Sequence, residues 1–179
     1  MIVANDGSPS AEFGFSVSVS DEYAVIGAIS DGSGSGNAYI FNYNGSGWNE
    51  EAKLTPSDGS AGDFFGRAVS ISGDYAVVGA YGDDGAGERS GSAYVFVRNG
   101  TIWTQQQKLT AMDAAIDDHF GWSVSISGNF CIIGAHNADV GQSNAGCAYV
   151  FVRNGTTWTQ YQKLTTTNPS TNDAFGGHV

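Results

Sequence analysis

The chain has 179 residues, with 26 glycines, only 3 prolines, and charged residues at 14% of positions. Its formal net charge of −11 argues against nucleic acid and anionic membrane surfaces as partners, because both are bound through a basic face. No run approaches the roughly 18 consecutive apolar residues of a membrane span, so we expect no membrane-spanning segment.

The chain repeats one sequence motif at a period of 52 to 55 residues. A Phe-Gly pair starts at Phe13, Phe65, Phe120 and Phe175, and a Trp, a Tyr and a Lys-Leu-Thr word recur 55 residues apart between these pairs. Periods of this size indicate solenoids or propellers. The period predicts a linker with the tail of a preceding blade, three blades, and the first strand of a further blade. Their predicted bounds are 1–12, 13–64, 65–119, 120–174 and 175–179.

Each repeat carries four strand signals, which the second repeat shows in order. FGRAVSIS alternates, with Val69 and Ile71 on one face, and a Gly-Asp turn leads to YAVVGA, which is apolar on both faces like a buried strand. A Gly-rich loop precedes SAYVFVR, and an Asn-Gly turn precedes IWTQQQKLT. We therefore predict an all-β fold of propeller blades with four antiparallel strands each, three complete and one partial at either end. A β-solenoid or a sandwich is the competing architecture.

The Phe-Gly and Gly-Ala words, with a strand, a turn and a strand between them, resemble the FG-GAP repeat of the seven-bladed propeller in integrin α-subunit heads. The Trp-Thr-x-x-x-Lys-Leu strand and the Asp-Gly loops are similar to the bacterial and algal form of the repeat. The resemblance covers essentially the whole chain and implies the propeller fold.

The resemblance suggests calcium as a candidate cofactor. Integrin-type repeats hold it in an Asp-x-Asp-x-Asp-Gly loop between the second and third strands. The loops here read SDGSGSGN, YGDDGAGERSG and HNADVGQSNAG, and none alternates carboxylates in that way. The second is the best candidate, with Asp83, Asp84 and Glu88 as ligands. The expectation is thus no cofactor, or Ca²⁺ at these three residues, with a solvated turn as the alternative.

Two series of aspartates recur at fixed positions of the repeat, and we expect them to bond backbone groups, as in Asx turns, rather than to catalyse. The series are Asp63, Asp118 and Asp173, which precede each Phe-Gly by two residues, and Asp6, Asp58 and Asp113. No nucleophile and base, phosphate-binding loop or metal-spaced histidines are visible, so we predict that the protein is not an enzyme.

The asparagines of the hairpin turns and the two cysteines each allow two interpretations. Asn44, Asn99 and Asn154 stand at the third-to-fourth hairpin turns and are formal N-glycosylation acceptors, with a type I′ turn as the other explanation. Cys131 and Cys147 lie on neighbouring strands of the third repeat, which leaves a disulfide open. Simple hairpin register does not place the two opposite each other, and small buried residues are the alternative.

Three blades cannot close a ring, because propellers usually need four to eight. Open ends would expose apolar surface, so either the chain belongs to a longer array or copies of it complete each other's blades. The second route gives a closed ring or a head-to-tail filament. Phe175, Gly176 and Val179, in the truncated fourth phrase, are the residues expected to take part in assembly.

The function expected from the sequence is that of an extracellular or cell-surface module with a structural or adhesive role. Its partners would be further blades or other copies of itself, with a protein or glycan ligand as an addition. The start, MIVANDGSPS, lacks the segments of a signal peptide, which leaves open a removed signal, an excerpt of a longer chain, or a protein that is not secreted. An accessory propeller of a secreted hydrolase and a ligand-binding module of a larger receptor are the alternatives.

Overall fold

The computed structural model describes residues 2–8 and 10–179 and consists almost entirely of β-strands. Twelve strands form three sheets of four antiparallel strands, each in chain order. The first sheet contains β1 (Phe13–Ser20), β2 (Tyr23–Ala28), β3 (Asn37–Tyr43) and β4 (Trp48–Leu54). The second contains β5 (Ala68–Ser72), β6 (Tyr75–Ala80), β7 (Ser92–Asn99) and β8 (Ile102–Leu109). The third contains β9 (Phe120–Ser127), β10 (Phe130–Ala135), β11 (Cys147–Asn154) and β12 (Thr157–Leu164).

The sheets are the blades of an unclosed β-propeller, so the predicted all-β fold with three four-stranded blades is confirmed. A single helical turn, α1 (Asp31–Gly34), lies between β2 and β3. Within the described part of the chain, no helix is long and apolar enough to cross a membrane.

The hydrophobic core lies between the blades. Val77, Val95 and Leu109 of the second blade pack in one buried cluster with Val124 and Ile126 of the third. The same positions form the seam between the first and second blades. Because these two clusters are each shared by two sheets, a blade buries the apolar side chains of both its faces only between two neighbours. A third, smaller cluster lies within the first blade and the segment before it.

The repeated Phe-Gly and Gly-Ala words mark these seams. Gly79, at the Gly-Ala end of β6, lies against Gly121 of the next Phe-Gly pair, and a Cβ on Gly79 would overlap the Gly121 carbonyl oxygen. Gly121 itself has a φ of 90°, a conformation that favours glycine. The same contact joins Gly27 to Gly66 and Gly134 to Gly176. Glycine is therefore needed at both words because two backbones touch there.

Serines of the first strands join neighbouring blades along their inner edges. The Ile71 amide donates to Ser18 Oγ at 3.2 Å, and the Ile126 amide donates to Ser70 Oγ at 3.1 Å. Two residues further on, Ser20 and Ser72 accept from the amides of Gly73 and Gly128, each at 3.2 Å. The small polar face of each first strand thus satisfies the edge amides of the next blade, which would otherwise be unpaired.

A bulge in each fourth strand joins the blades along their outer edges. The register of β7 and β8 shifts between Val95 and Phe96, which leaves Gln106 as the extra residue. Its Oε1 accepts a hydrogen bond from Trp158 Nε1 of the next blade at 3.1 Å. Glu51 does the same for Trp103 at 3.0 Å. The bulge therefore aims a side chain across the seam.

Candidate functional site

In the first blade, β1 exposes positions that a preceding blade buries in the other two, whereas Ile26 and Phe41 on the same face are already buried in a cluster with Ala11. Val17 and Val19 of β1 are 66% and 64% exposed, whereas their counterparts in the second blade, Val69 and Ile71, are 8% and 5% exposed. The third-blade pair is buried to a similar degree. We call the surface around Val17 and Val19 the incoming face. It has the composition and register of a blade seam but no blade upon it.

The third blade is open on its opposite side. Ile132, Val150 and Leu164 are only half-buried, whereas their second-blade counterparts, Val77, Val95 and Leu109, are almost fully buried. The surface of these three half-buried residues is the outgoing face. The bulge residue of β12, Tyr161, is 73% exposed, and among the described residues no tryptophan bonds it as Trp103 and Trp158 bond the bulge residues of the other blades. Both ends of the blade array therefore present the apolar side of an unfilled seam.

The residues predicted to take part in assembly dock on the third blade of their own chain. Gly176 packs on Gly134, and its carbonyl oxygen accepts a hydrogen bond from Ser123 Oγ at 2.7 Å. Phe175 forms an isolated bridge with Gly146 but is 38% exposed, whereas the Phe of each internal Phe-Gly pair is fully buried. Val179 is exposed as well. The segment around Phe175 and Gly176 makes the Phe-Gly contact of a further seam but leaves the outgoing face uncovered. Its role in assembly stays a prediction.

The predicted calcium ligands do not converge, because protein groups already surround the Asp83 carboxylate. Asp83 Oδ2 accepts hydrogen bonds from Lys108 Nζ at 2.8 Å and Tyr94 OH at 3.0 Å. Its Oδ1 accepts from Ser92 Oγ at 2.6 Å and the Gly85 amide at 2.9 Å. Charge-assisted bonds of this kind satisfy a buried carboxylate without a metal.

The other two predicted ligands lie on the loop surface. Asp84 Oδ1 accepts from the Arg89 amide at 2.7 Å, and Glu88 is exposed. Among residues 2–8 and 10–179, no group of three or more His, Cys, Asp or Glu side chains is arranged to hold a metal ion. The structure therefore does not assemble Asp83, Asp84 and Glu88 into a ligand set.

The Asp83 network reaches into the linker that precedes its blade. Asp58 accepts from Lys108 Nζ at 2.7 Å and from Tyr94 OH at 2.9 Å. Burial alone would raise the pKa of the Asp83 carboxyl, but the bonds from Lys108, Ser92 and the Gly85 amide hold that pKa below its usual value. The first blade repeats the arrangement with Lys53, Asp6 and Asp31, and the third keeps Lys163 with Asp113. Asp6, Asp58 and Asp113 therefore bond Lys and Tyr side chains of the following blade, and not the backbone groups that the sequence led us to expect.

The third blade replaces the inner half of this network by apolar side chains. Ala138, Val140 and Cys147 stand 55 residues after Asp83, Gly85 and Ser92. All three replacements pack in the apolar cluster between the second and third blades. Donor and acceptor are lost together, which leaves no unpaired buried group.

The second aspartate series bonds the backbone as expected, but in the opposite direction to an Asx turn. Asp63 Oδ2 accepts from the Ser60 amide at 2.7 Å, three residues earlier in the chain. Asp118 and Asp173 repeat the bond at 2.8 and 2.6 Å. Burial raises the pKa of the Asp63 and Asp118 carboxyls. The three aspartates therefore stabilise the turn that precedes each Phe-Gly pair.

The cysteines do not form the disulfide that the sequence left open. Cys131 lies opposite Phe151, whereas Cys147 lies opposite Ala135, four positions along the same strand pair. That offset is about 13 Å at 3.3 Å per residue, beyond the roughly 7 Å Cα separation that a disulfide tolerates. Both thiols are free and buried, and burial raises the pKa of Cys131 to about 12.

The three asparagines are exposed at hairpin tips, but the predicted type I′ turn is wrong. Asn99 pairs with Ile102, so the turn residues are Gly100 and Thr101. Only Gly100 has a positive φ, of 65°, which is the pattern of a type II′ turn. Asn154 has the same surroundings, and Asn44 differs because its Oδ1 accepts from the amides of Ser46 and Gly47. Glycosylation of Asn44, Asn99 and Asn154 stays a prediction.

A cluster of rings at the seam of the second and third blades was not predicted from the sequence. Trp122 and His136 have ring centroids 4.0 Å apart, and Tyr81 lies 4.9 Å from Trp122 and 5.2 Å from His119. We call these four residues the ring cluster. Each stands next to a Phe-Gly or Gly-Ala word, so the variable positions that flank the repeat words were the signal available.

The histidines of the ring cluster predict a loss of stability on mild acidification. Burial, with the charges of His119 and Arg67, lowers the pKa of His136 to about 4, and burial lowers the pKa of His119 although Asp117 opposes this. A histidine whose pKa is lower in the folded state than in the unfolded state stabilises the fold while it is neutral. Its contribution to the free energy of unfolding is therefore complete above the unfolded pKa of about 6.5. We expect that contribution to be lost as the pH falls from about 6.5 toward 4.

Thermal melting at intervals from pH 7.5 to pH 4.5 checks this expectation. The wild-type midpoint should fall, and the His136→Phe variant should show a smaller fall over the same interval. The raised pKa values of Asp63 and Asp118 act with the opposite sign, but they are common to both proteins. Equal pH dependence of the two proteins would contradict the role given to His136.

Comparison with known proteins agrees with this geometry. The sequence model of the FG-GAP repeat matches residues 1–41, 48–96 and 103–151. No curated protein has a matching sequence. Saccharomyces cerevisiae Sqt1 is similar in structure, with a TM-score of 0.55 and 10% identity over 90% of this chain and 37% of Sqt1. A europium-containing methanol dehydrogenase has a TM-score of 0.52 and 9% identity over 84% of this chain and 24% of the enzyme. At such identities the likeness concerns the fold alone, and the chain spans well under half of either protein.

Proposed function

This chain belongs to the FG-GAP repeat family, and on that premise we propose that it is a non-enzymatic propeller module whose open faces are completed by further blades. The exposure of Val17 and Val19 carries the proposal. The same positions are buried wherever a preceding blade is present, so the incoming face matches a surface that this chain itself shows in its covered form. Covering it removes apolar side chains from water, which is favourable by roughly 25 cal/mol per Å².

A second copy of the chain is the occupant that we propose for the incoming face. Ile132, Val150 and Leu164 of the outgoing face hold the repeat positions of the first-blade residues that pack on Val69 and Ile71 inside the chain. The third blade of one copy is therefore complementary to the first blade of the next. Such a contact joins two different faces, so repetition gives a ring where the rotation closes and a fibre where it does not.

Polar groups at the two faces are complementary as well. The amides of Ile71 and Gly73 donate to serines of the preceding blade, and Val19 of β1 and Asp21 of the turn after it hold the same positions in the first blade. At the other end Ser125 and Ser127 continue the serine series, and in the part of the chain described here their hydroxyls have no hydrogen-bond partner. The serine-to-amide connection is thus available for one more seam.

We further propose that the module works outside the cell or at its surface, in a structural or adhesive role. Support comes from the family, from a surface of low charge density with a net charge of −11, and from the exposed hairpin tips. Asn44, Asn99 and Asn154 would be accessible there to glycosylation. Mass spectrometry of the protein from its native source tests this point. We expect glycosylated peptides, or peptides of this chain released by proteolysis of intact cells. Peptides found only after the cells are lysed would contradict the proposal.

Light scattering over a range of protein concentrations tests completion by a second copy. Wild-type protein is expected to increase in mean mass with concentration. The Val17→Lys/Val19→Lys variant is expected to remain a monomer, because two ammonium groups would lose water at the seam without partners. Ile102→Lys is the matched control, since Ile102 is 65% exposed but stands at an outer hairpin tip.

The outcomes separate the parts of the proposal. Association of the wild type and of Ile102→Lys, but not of the double variant, supports the incoming face as the contact. A wild type that stays monomeric at all concentrations overturns self-assembly. Association that persists unchanged in the double variant shows that another surface is responsible.

A further inference from the structure

Arg67 is the one cation without an acceptor among the residues that the structure describes. The chain has seven Lys and Arg residues. Five of the others form ion pairs with aspartates: Lys53, Arg89, Arg98, Lys108 and Lys163. The sixth, Arg153, donates to Asn129, Tyr75 and a carbonyl oxygen. In a chain with 18 acidic residues, an arginine side chain with neither an ion pair nor another hydrogen-bond acceptor among the described residues is a distinct feature.

Aromatic side chains hold Arg67 in place. Its guanidinium carbon lies 4.0 Å from the Trp122 ring centroid and 5.0 Å from that of Phe15. These three residues follow the Phe-Gly pairs of the three blades in turn, so the first strands bring them together where the blades converge. They line a recess of about 180 Å³ together with His178. We call it the axial recess.

No carboxylate of the described residues offsets the charge of Arg67. Burial lowers its pKa. An arginine nevertheless remains charged at any physiological pH. The rings of His136 and His119 lie against Trp122, and His136 Nδ1 and His119 Nε2 are buried without a hydrogen-bond partner. His119 Nε2 lies 4.0 Å from Asp117 Oδ1. The site therefore holds the positive charge of Arg67, with which no acidic side chain of the described residues forms an ion pair.

We propose that Arg67 binds a carboxylate group that enters the axial recess. The contacts with the Trp122 and Phe15 rings use no N–H group of Arg67, so these groups remain available as donors. A planar carboxylate accepts two parallel bonds from the edge of a guanidinium. The carboxylate belongs to a small free acid or to an acidic side chain of a peptide, and the size of the recess admits either.

Titration followed by NMR tests the proposal on the full chain. The Arg67 side-chain Nε–H and the Trp122 indole signals are recorded against acetate and against glutamate capped at both ends, with sodium chloride holding the ionic strength constant. Wild-type protein should show saturable shifts of both signals. Arg67→Gln should abolish the shift of the indole signal, and Arg67→Lys should weaken binding about tenfold, because it keeps the charge but not the bidentate edge.

Arg89→Gln is the matched control, because Arg89 is an exposed arginine already paired with Asp117. It should bind as the wild type does, and melting curves establish that each variant is folded. Binding also has a second readout in the histidine. A bound anion next to Arg67 favours the protonated form of His136, so the pKa of His136 read from its ring proton signal should rise on saturation of wild type.

Each result decides the matter in one direction. Saturation by the capped glutamate alone supports a peptide side chain as the ligand, and equal binding of acetate supports a small free acid. Equal indole shifts in Arg67→Gln and wild type overturn the site. Equal shifts with phosphate at the same concentration overturn the assignment of the site to carboxylates. An unchanged His136 pKa at saturation overturns the placement of the ligand in the axial recess.

Discussion

Asp83→Ala is expected to lower the free energy of unfolding by about 3 kcal/mol, because it removes a buried carboxylate from its partners. Ser92 Oγ and the Gly85 amide would each lose their acceptor, and Lys108 would keep only Asp58. The side chain of Asp58 is about half exposed and therefore holds Lys108 less strongly. Urea unfolding of the variant and the wild type measures the difference.

The third blade provides a matched control for this change. Asp83→Ala/Gly85→Val/Ser92→Cys reproduces Ala138, Val140 and Cys147 in the second blade, and it should recover all but about 1 kcal/mol of the loss. A Cβ at Gly85 would meet Asp83 Oδ1 at 2.8 Å and Lys108 Nζ at 3.0 Å, so valine there needs the carboxylate to be absent. Gly85→Val alone should consequently destabilise. A triple variant as unstable as Asp83→Ala would show that the two blades do not use interchangeable packing.

Gly79→Ala is expected to cost more than about 4 kcal/mol, or to prevent folding, because its Cβ would overlap the backbone of Gly121. Neither partner can move without displacing a whole blade, since both atoms that collide belong to rigid elements. The change therefore separates the second and third blades. Chemical unfolding measures the loss in soluble material, and an expression and solubility comparison covers the case in which the variant does not fold.

Gly47→Ala is the control for that glycine. Nothing lies within 4 Å of a Cβ at Gly47, and its backbone is outside the region that favours glycine, so we expect a change within about 0.5 kcal/mol. A similarly small effect of Gly79→Ala would contradict the account of the repeated words as seam contacts. A large effect at both positions would point to a general intolerance of substitution.

The sequence was sufficient for the blades because their signals are local and repeated. FGRAVSIS and YAVVGA carry the alternation and the buried run that β5 and β6 show, and three copies remove the ambiguity of any one of them. The Asp63 series was likewise predictable as structural from its recurrence. What recurs at a fixed register in a repeat has a role that the fold itself requires.

The loop chemistry was less predictable because its partners come from distant segments. Asp83 looked like a metal ligand beside Asp84, but its cation is Lys108 of the fourth strand, 25 residues away. The ring cluster was missed since Tyr81 and His119 are 38 positions apart in the sequence and meet only across a seam. The type of the Asn99 hairpin turn depended on a register shift of one residue, which the Asn-Gly pair alone does not reveal.

Amide hydrogen exchange at Val19 tests the central claim most directly, because β1 either faces water or faces another blade. In dilute protein the amides of Val19 and Asp21 should exchange much faster than those of Ile71 and Gly73, which donate to serines of the preceding blade. In associated protein, or with further blades joined to the chain, Val19 should become as protected as Ile71. Val19 already protected in a dilute monomer, or still unprotected after association, would contradict the account of an open seam that another blade fills.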